Sequence, residues 1–398
     1  MSTIRINKQL CNLCGDCIKF CPFGAMEQIN GEIQINASCK MCKLCIKSCP
    51  QNAINFEITF VEQVDKSDWK GILIYVEHDE GNIHPVTYEL IGKARELMKT
   101  TGQKVYAIFI GNQIHEQAKE LLFYGVEKVF VYDSEELKHF RVDIYANAVE
   151  DCINSLKPSV VLIGATSVGR SLAPRVATRF RTGLTADCTT LEMRENTDLV
   201  QIRPAFGGNI MAQILTQNHR PQFATVRYKV MDAAPRAEHA TGTIEECILP
   251  AHKLQSEITI KSVYKREEQI GITDAQVLVV AGRGIKSKQD LAMIEELASL
   301  LGGQIAATRP LIEQGWVNYK RQIGLSGRTV KPKLIITCGV SGAIQFVAGM
   351  EKAEQIMAIN IDADAPIFSV ANYGFIGDLY IIIPQLIDLI KGGIDVAI

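Results

Sequence analysis

The sequence lacks an excess of charge of either sign. Its 42 Lys and Arg stand against 44 Asp and Glu over 398 residues, a formal net charge of −2. That balance gives no electrostatic footprint for nucleic acid and no polybasic patch for a membrane surface. A long uninterrupted apolar run is also missing. The most apolar stretch, residues 379–398, is broken by Pro384, Gln385, Asp388 and Lys391, whereas a spanning helix needs about 20 nearly continuous apolar residues. The opening residues, MSTIRINKQLC, contain no apolar leader core, so a cytoplasmic chain without stable membrane insertion is expected. The seven histidines form no HExxH pair. Residues 282–287 lack P-loop spacing, and residues 339–343 miss the G-x-S-x-G pattern because Ala343 stands where glycine is needed. No self-contained hydrolytic site is legible.

What is present is cysteine, and it is crowded. Of twelve cysteines, eight fall between Cys11 and Cys49. They read Cys11-x2-Cys14-x2-Cys17-x3-Cys21-Pro22 and then Cys39-x2-Cys42-x2-Cys45-x3-Cys49-Pro50, the second copy starting 28 residues after the first. A disulfide framework belongs to small secreted chains, whereas crowding at one end of a long chain points to metal. Three closely spaced thiolates wrap one face of an iron–sulfur cubane, and the fourth cysteine of such a run serves the other cluster. This assigns Cys11, Cys14, Cys17 and Cys49 to one [4Fe–4S] cluster, and Cys39, Cys42, Cys45 and Cys21 to a second. Zinc also takes four cysteines, but usually as two separated CxxC pairs. Apolar alternation at residues 4–6, 33–35 and 54–56 predicts short covering strands, with Gly31 in a turn. The first 60 or so residues resemble bacterial two-cluster ferredoxins. Cys152, Cys188, Cys247 and Cys338 lie at no ligand spacing and read as buried thiols.

From about Trp69 the texture changes. Apolar runs at residues 71–76, 105–110, 129–132 and 160–163 alternate with helical periodicity at Leu90, Ile91, Ala94 and Leu97, at Ala118, Leu121 and Leu122, and around residues 144–153. Continuous apolar strands alternating with helices predict a parallel sheet covered on both faces. Residues 199–203, 210–215 and 223–226 predict further strands, some antiparallel, separated by Gly207-Gly208. A polar stretch, residues 251–274, reads as a linker. A second α/β unit follows, with strands at 277–281, 334–337, 356–361 and 367–370 and a final helix covering 386–390. Turns at Gly282–Gly284, Thr308-Arg309 and Gly339–Gly342 follow strand ends, where ligands of open α/β sheets bind. The expected class is thus α/β: two Rossmann-like α/β domains with parallel sheets, preceded by a small α+β ferredoxin-like domain. The boundaries are 1–62, 68–250, 251–274 and 275–398.

The motifs VVAGRGIKS at 279–287, Thr308-Arg309, QIGLSG at 322–327, GVSGAIQ at 339–345, AIN at 358–360 and APIF at 365–368 resemble, in order, the FAD domain of electron-transfer flavoprotein α subunits. GATSVGR at 164–170 and GLTADC at 183–188 resemble the same family. The resemblance implies an FAD held by Arg283, Thr308, Arg309, Gln322, Ser326, Gly339, Ser341, Gly342, Gln345, Asn360 and Asp378. In it Arg309 lies against the isoalloxazine and favours the reduced anion, Ser326 faces flavin N5, and Ser341 with the Gly339–Gly342 turn holds the diphosphate. Gln345 contacts the ribityl and ring edge, and Asn360 and Asp378 lie near the adenosine. Many relatives carry histidine where this chain has Phe346, near the pyrimidine edge. Leu325 likewise replaces a commonly polar position. The resemblance further implies a β subunit carrying a second FAD and the NADH site, an acyl-CoA dehydrogenase-like flavoenzyme and an external ferredoxin. The attached ferredoxin-like domain resembles those of electron-bifurcating caffeyl-CoA reductase and lactate dehydrogenase complexes. The alternatives are a non-bifurcating transfer subunit, a lactate dehydrogenase partner, and a binding or assembly module whose clusters only organise structure.

Overall fold

The computed structural model describes residues 2–36, 38–58, 64–205, 210–264 and 271–392. Gly207-Gly208 and the charged run at residues 265–268 lie outside them. The chain forms two compact units, Met1–Val64 and Asp65–Ile398.

The small unit is built from its sequence repeat. Strand Ser2–Ile6 pairs antiparallel with Ile54–Ile58, and Met26–Ile29 pairs antiparallel with Glu32–Ile35. The second pair is joined by Asn30 and Gly31, both left-handed at φ 51° and 77°, which suits the tight hairpin turn that Asn-Gly favours. Shifting the first repeat by its 28 residues lays Met26–Ile29 onto Ile54–Glu57, within strand Ile54–Ile58. Each two-stranded ribbon therefore takes one strand from each repeat. Helices Asp16–Lys19 and Leu44–Ser48 are likewise equivalent. Among the described residues the large apolar side chains buried here are Ile4, Met26, Ile33 and Ile54, and bound clusters add to the stability of so small a unit.

The large unit begins with a seven-stranded sheet. Its spatial order is Leu184–Cys188, Gln222–Val226, Val160–Gly164, Ile72–Val76, Val105–Gly111, Lys128–Asp133 and Thr243–Glu246, and every pairing is parallel. Strand Ile72–Val76 shows why its residues are apolar throughout. Ile72, Ile74 and Val76 enter the core on one face, under helix Val86–Thr101 through Leu90, Ile91, Ala94 and Leu97. Leu73 and Tyr75 enter the core on the other, under helix Val142–Leu156. Residues that alternate between two buried faces cannot be polar at either parity. Helix Val86–Thr101 ends where Gly102 takes φ 65° and its N–H bonds Met98, a left-handed cap that glycine adopts at little cost. Thr190–Met193, Leu199–Ala205 and Ile210–Ile214 form a separate antiparallel meander.

Two elements of this region differ from expectation. Strand Thr243–Glu246, polar because it closes the sheet edge, carries no apolar signature. Residues 251–254, expected in a linker, form a helical turn, Ala251–Leu254. It is anchored as Ser256 Oγ donates to the Asp143 carboxylate at 2.7 Å.

The last sheet is five-stranded and parallel, in the order Gln304–Ala307, Val277–Ala281, Leu334–Cys338, Gln355–Asn360, Tyr373–Ile376. Strand order reverses between Val277–Ala281 and Leu334–Cys338, which opens a crevice at their carboxyl ends. Residues 367–370 are not the strand the apolar run suggested. Pro366 starts a 3₁₀ turn, Pro366–Ser369, that buries Ile367. The edge strand is Tyr373–Ile376, whose side chains are exposed.

Candidate functional site

In the small unit, the residues flanking each middle cysteine, Leu13 and Gly15 around Cys14 and Met41 and Lys43 around Cys42, are all left-handed. Such reversals turn successive backbone N–H groups inward as an anion-binding nest. Cys11, Cys14, Cys17 and Cys49 line one cavity. Cys21, Cys39, Cys42 and Cys45 line another. Among the described residues no three His, Cys, Asp or Glu side chains converge on a single ion. Each quartet faces one common cavity, the arrangement that four thiolates around an iron–sulfur cluster need. The fourth cysteines are equivalent. Ala25 N–H donates to Cys21 Sγ at 3.2 Å, and Ala53 N–H to Cys49 Sγ at 3.4 Å. The Ala25 bond holds the Cys21 thiol below its ordinary range. Burial pushes Cys17 and Cys45 up, and the three other sulfurs of each quartet add to it, so these thiols need a cation among them before they ionise together.

In the last domain Arg283, Thr308, Gly339, Ser341, Gly342 and Asp378 follow the carboxyl ends of strands and Asn360 ends one, while Arg309 and Gln345 lie in the short helices Arg309–Glu313 and Ile344–Val347. The turns after Ala281 and Cys338 touch through glycine alone. A Cβ on Gly282 would stand 2.3 Å from Gly339 O, and one on Gly342, at φ 84°, 2.2 Å from Ile367 N. Arg283, between Gly282 and Gly284, is exposed. Ser341 is exposed, and its carbonyl accepts from Ile367 N–H at 3.1 Å. Thr308 is buried after strand Gln304–Ala307, and its hydroxyl has no hydrogen-bond partner. Arg309 is exposed, and its Nε donates to Glu313 at 2.7 Å. Ile323 N–H bonds Ala307 O, which brings the 322–326 loop beside Thr308. There Gln322 Nε2 donates to Ser326 Oγ at 2.8 Å, and Leu325 N–H bonds Gln345 O at 2.8 Å. Asn360 Nδ2 donates to Val340 O at 2.8 Å. Asp378 accepts from Tyr380 N–H at 2.9 Å and caps helix Leu379–Lys391. Close-packed glycine turns, an unpartnered buried hydroxyl and a hydroxyl–amide pair fit a cofactor with a diphosphate and a polar ring edge.

Phe346 is the exception. Its ring is 6% exposed and packs with Val280, Ile323, Met350 and Ala358, so it serves the core. Sequence reasoning also missed two contributors. Tyr319 Oη donates to Ser326 O at 2.6 Å and sets that loop. Arg227 donates from Nη2 to Leu325 O at 2.8 Å; a partner 98 residues away leaves no local pattern. The same stretch meets the last domain through Tyr228 to Asp274 (3.3 Å), Lys331 to Asp232 (3.0 Å) and Lys352 to Val230 O (2.6 Å).

The chain matches the electron transfer flavoprotein domain over residues 72–252, the electron transfer flavoprotein FAD-binding domain over 271–351, and a 4Fe-4S binding domain over 3–26. It is 56% identical over 374 residues, 94% of this chain and 90% of the relative, to the lactate dehydrogenase (NAD(+),ferredoxin) subunit LctC of Acetobacterium woodii. It is 43% identical to the electron transfer flavoprotein subunit alpha of Clostridium acetobutylicum, over 82% of this chain and 99% of that one. It is 38% identical to the acryloyl-CoA reductase electron transfer subunit beta of Anaerotignum propionicum, over 83% and 98%. The chain belongs to the electron-transfer flavoprotein α-subunit family, with an N-terminal ferredoxin-like domain. Its cofactors are FAD and [4Fe–4S] clusters, and its two cysteine quartets fit two of them. No helix among the described residues is long and apolar enough to cross a membrane.

Proposed function

We propose that this chain passes single electrons among three stations: a flavin in an electron-transfer flavoprotein β subunit reduced by NADH, a ferredoxin-class carrier, and a lactate dehydrogenase-type flavoenzyme. The observation that carries this reading is the extent of likeness to LctC. That relative aligns over 94% of this chain, whereas the clostridial α subunit aligns over almost its whole length yet leaves about a fifth of this chain unmatched. Retention of the cluster-bearing end alongside the flavin domain favours a ferredoxin-linked complex over simple transfer. A flavin supplies the conversion between hydride and single-electron chemistry, and clusters accept one electron at a time.

This chain's own residues hold and orient. The two cysteine quartets ligate the clusters. Arg283 and the Gly282, Gly339 and Gly342 turns receive the diphosphate, Thr308, Gln322 and Ser326 the ring, and Asn360 and Asp378 the adenosine end. Arg309 must leave Glu313 to face the ring. The contacts between residues 227–232 and the last domain are polar and few, the kind of interface that permits domain motion. The last domain moves between its electron donor and acceptor, and the complex works in the cytoplasm. A second reading, an acyl-CoA reductase partner such as a caffeyl-CoA enzyme, is favoured only by the likeness to the acryloyl-CoA reductase subunit.

Anoxic purification of the native complex, with subunits and cofactors counted, tests the assembly. NADH-dependent reduction of ferredoxin that requires a second acceptor is expected, with pyruvate serving and enoyl-CoA esters not. Ferredoxin reduction that ignores the second acceptor would rule out bifurcation.

A further inference from the structure

The two cysteine loops are near copies, so each is a control for the other. Aligned by the repeat, Asn12 corresponds to Lys40, Leu13 to Met41, Gly15 to Lys43 and Asp16 to Leu44. Residues 11–17 carry one acid, Asp16, paired with Lys19 at 3.7 Å. Residues 39–45 carry two lysines and no acid. Lys40 and Lys43 line the cavity bounded by Cys21, Cys39, Cys42 and Cys45. Asn12 and Gly15 hold those places at the other cavity.

Exposure does not separate the loops. Cys14 and Cys42 are both exposed. Leu10 and Leu13 are exposed beside the first quartet, and Phe23, Met41 and Leu44 beside the second. Charge does separate them. Lys43 also sits at φ 65° where its counterpart Gly15 sits at 77°, a backbone region that glycine occupies more easily. Its ammonium is held 3.7 Å over the Phe56 ring, next to the middle cysteine of its loop. Cations standing in an exposed apolar rim over an electron-carrying centre form a surface that steers and docks an acidic partner.

We propose that the face built by Phe23, Lys40, Met41, Lys43 and Leu44 docks an acidic one-electron carrier protein, so that the N-terminal unit exchanges electrons through its Cys21, Cys39, Cys42 and Cys45 centre. This rests on the reading above that the unit serves a ferredoxin-class carrier. One electron passes, oxidising one partner and reducing the other by one; no bond forms or breaks and no proton moves.

The test uses the full-length chain, cluster-loaded and with its partner subunits, and a gallium-substituted, redox-inert acidic ferredoxin as probe. Calorimetric Kd values are taken at ionic strengths of about 0.01 M and about 0.1 M, where screening lengths are roughly 30 Å and roughly 10 Å. Lys40→Asn with Lys43→Gly installs the first loop's own residues, and iron content and melting temperature check its fold. The pair is expected to weaken binding about tenfold at low salt and less than about threefold at the higher salt. Lys8→Gln with Lys19→Gln removes equal charge and should cost less than about threefold at either. A Lys40/Lys43 variant that binds as tightly as wild type, with NADH-dependent ferredoxin reduction intact, overturns the docking face alone, as does an equal loss in the Lys8/Lys19 variant. A wild-type complex that neither binds the gallium-substituted probe nor reduces the native, iron-containing ferredoxin overturns this proposal together with the functional reading beneath it.

Discussion

Gly342→Ala isolates the close approach on which the flavin turn depends. Two costs are separable. Gly342 lies at φ 84°, and an alanine there bears a left-handed penalty of about 1–2 kcal/mol. Its Cβ would also stand 2.2 Å from Ile367 N and 2.5 Å from Ile367 Cα. Both obstacles are backbone, so no side chain can rotate away, and the turn must open by roughly 1 Å against overpacking of about 1–3 kcal/mol. Opening it stretches the 3.1 Å bond from Ile367 N–H to Ser341 O. The expected total is about 2–5 kcal/mol of stability, with FAD affinity falling about tenfold or more if, as proposed above, the displaced turn receives the diphosphate. Gly302 in the same domain is the control. It has φ 63° and nothing within 4 Å of its Cβ, so Gly302→Ala should cost only about 1–2 kcal/mol and leave FAD affinity unchanged. Flavin fluorescence titration of the apoprotein and urea unfolding measure both quantities. Equal destabilisation by the two variants, with wild-type FAD affinity in Gly342→Ala, would refute the reasoning.

Other perturbations follow from the same geometry. Cys49→Ala and Cys21→Ala should each lower iron from about eight toward about four per chain, and paramagnetic resonance of the reduced Cys49 variant should match that of Cys14→Ala while the Cys21 variant matches Cys42→Ala. The opposite matching would mean that fourth ligands are not exchanged between repeats. Glu89 is buried and pushed up to about 7 from an ordinary 4.5, chiefly by burial, while it accepts N–H bonds from Lys229 at 3.0 and 3.2 Å. A carboxyl raised on folding gives stability that is complete below pH about 4.5 and is lost as pH rises through about 7. Thermal melts across that window should show a loss on the order of 3 kcal/mol, and Glu89→Gln should flatten it. Asp198→Ala strands the Arg220 guanidinium, 0% exposed and 2.8 Å from the lost carboxylate, so urea unfolding should register about 3–5 kcal/mol of destabilisation. Phe346→His should lower the melting temperature, because it puts an imidazole into an apolar core at a cost of about 2 kcal/mol or more; a redox shift without destabilisation would place the ring at the flavin instead.

The chain's sequence alone determined whatever depends on neighbours within a few residues. Cysteine spacing set both quartets, because three thiolates on one loop must be close in sequence to wrap one face of a cubane. Buried parallel strands announced themselves because both faces demand apolar side chains, and glycine marked the turns where backbones touch. Tertiary structure alone decided the rest. Polar Thr243–Glu246 becomes a strand by pairing with Lys128–Asp133, and apolar residues 367–370 do not, because Pro366 sets a tight turn and Tyr373–Ile376 takes the sheet edge. Phe346 is drawn under the sheet by the cavity that Val280, Met350 and Ala358 leave for it. Arg227 meets Leu325 only once the sheets bring their loops together. Hydrogen bonds between distant segments leave no period in the sequence, since their geometry is created by the packing that precedes them.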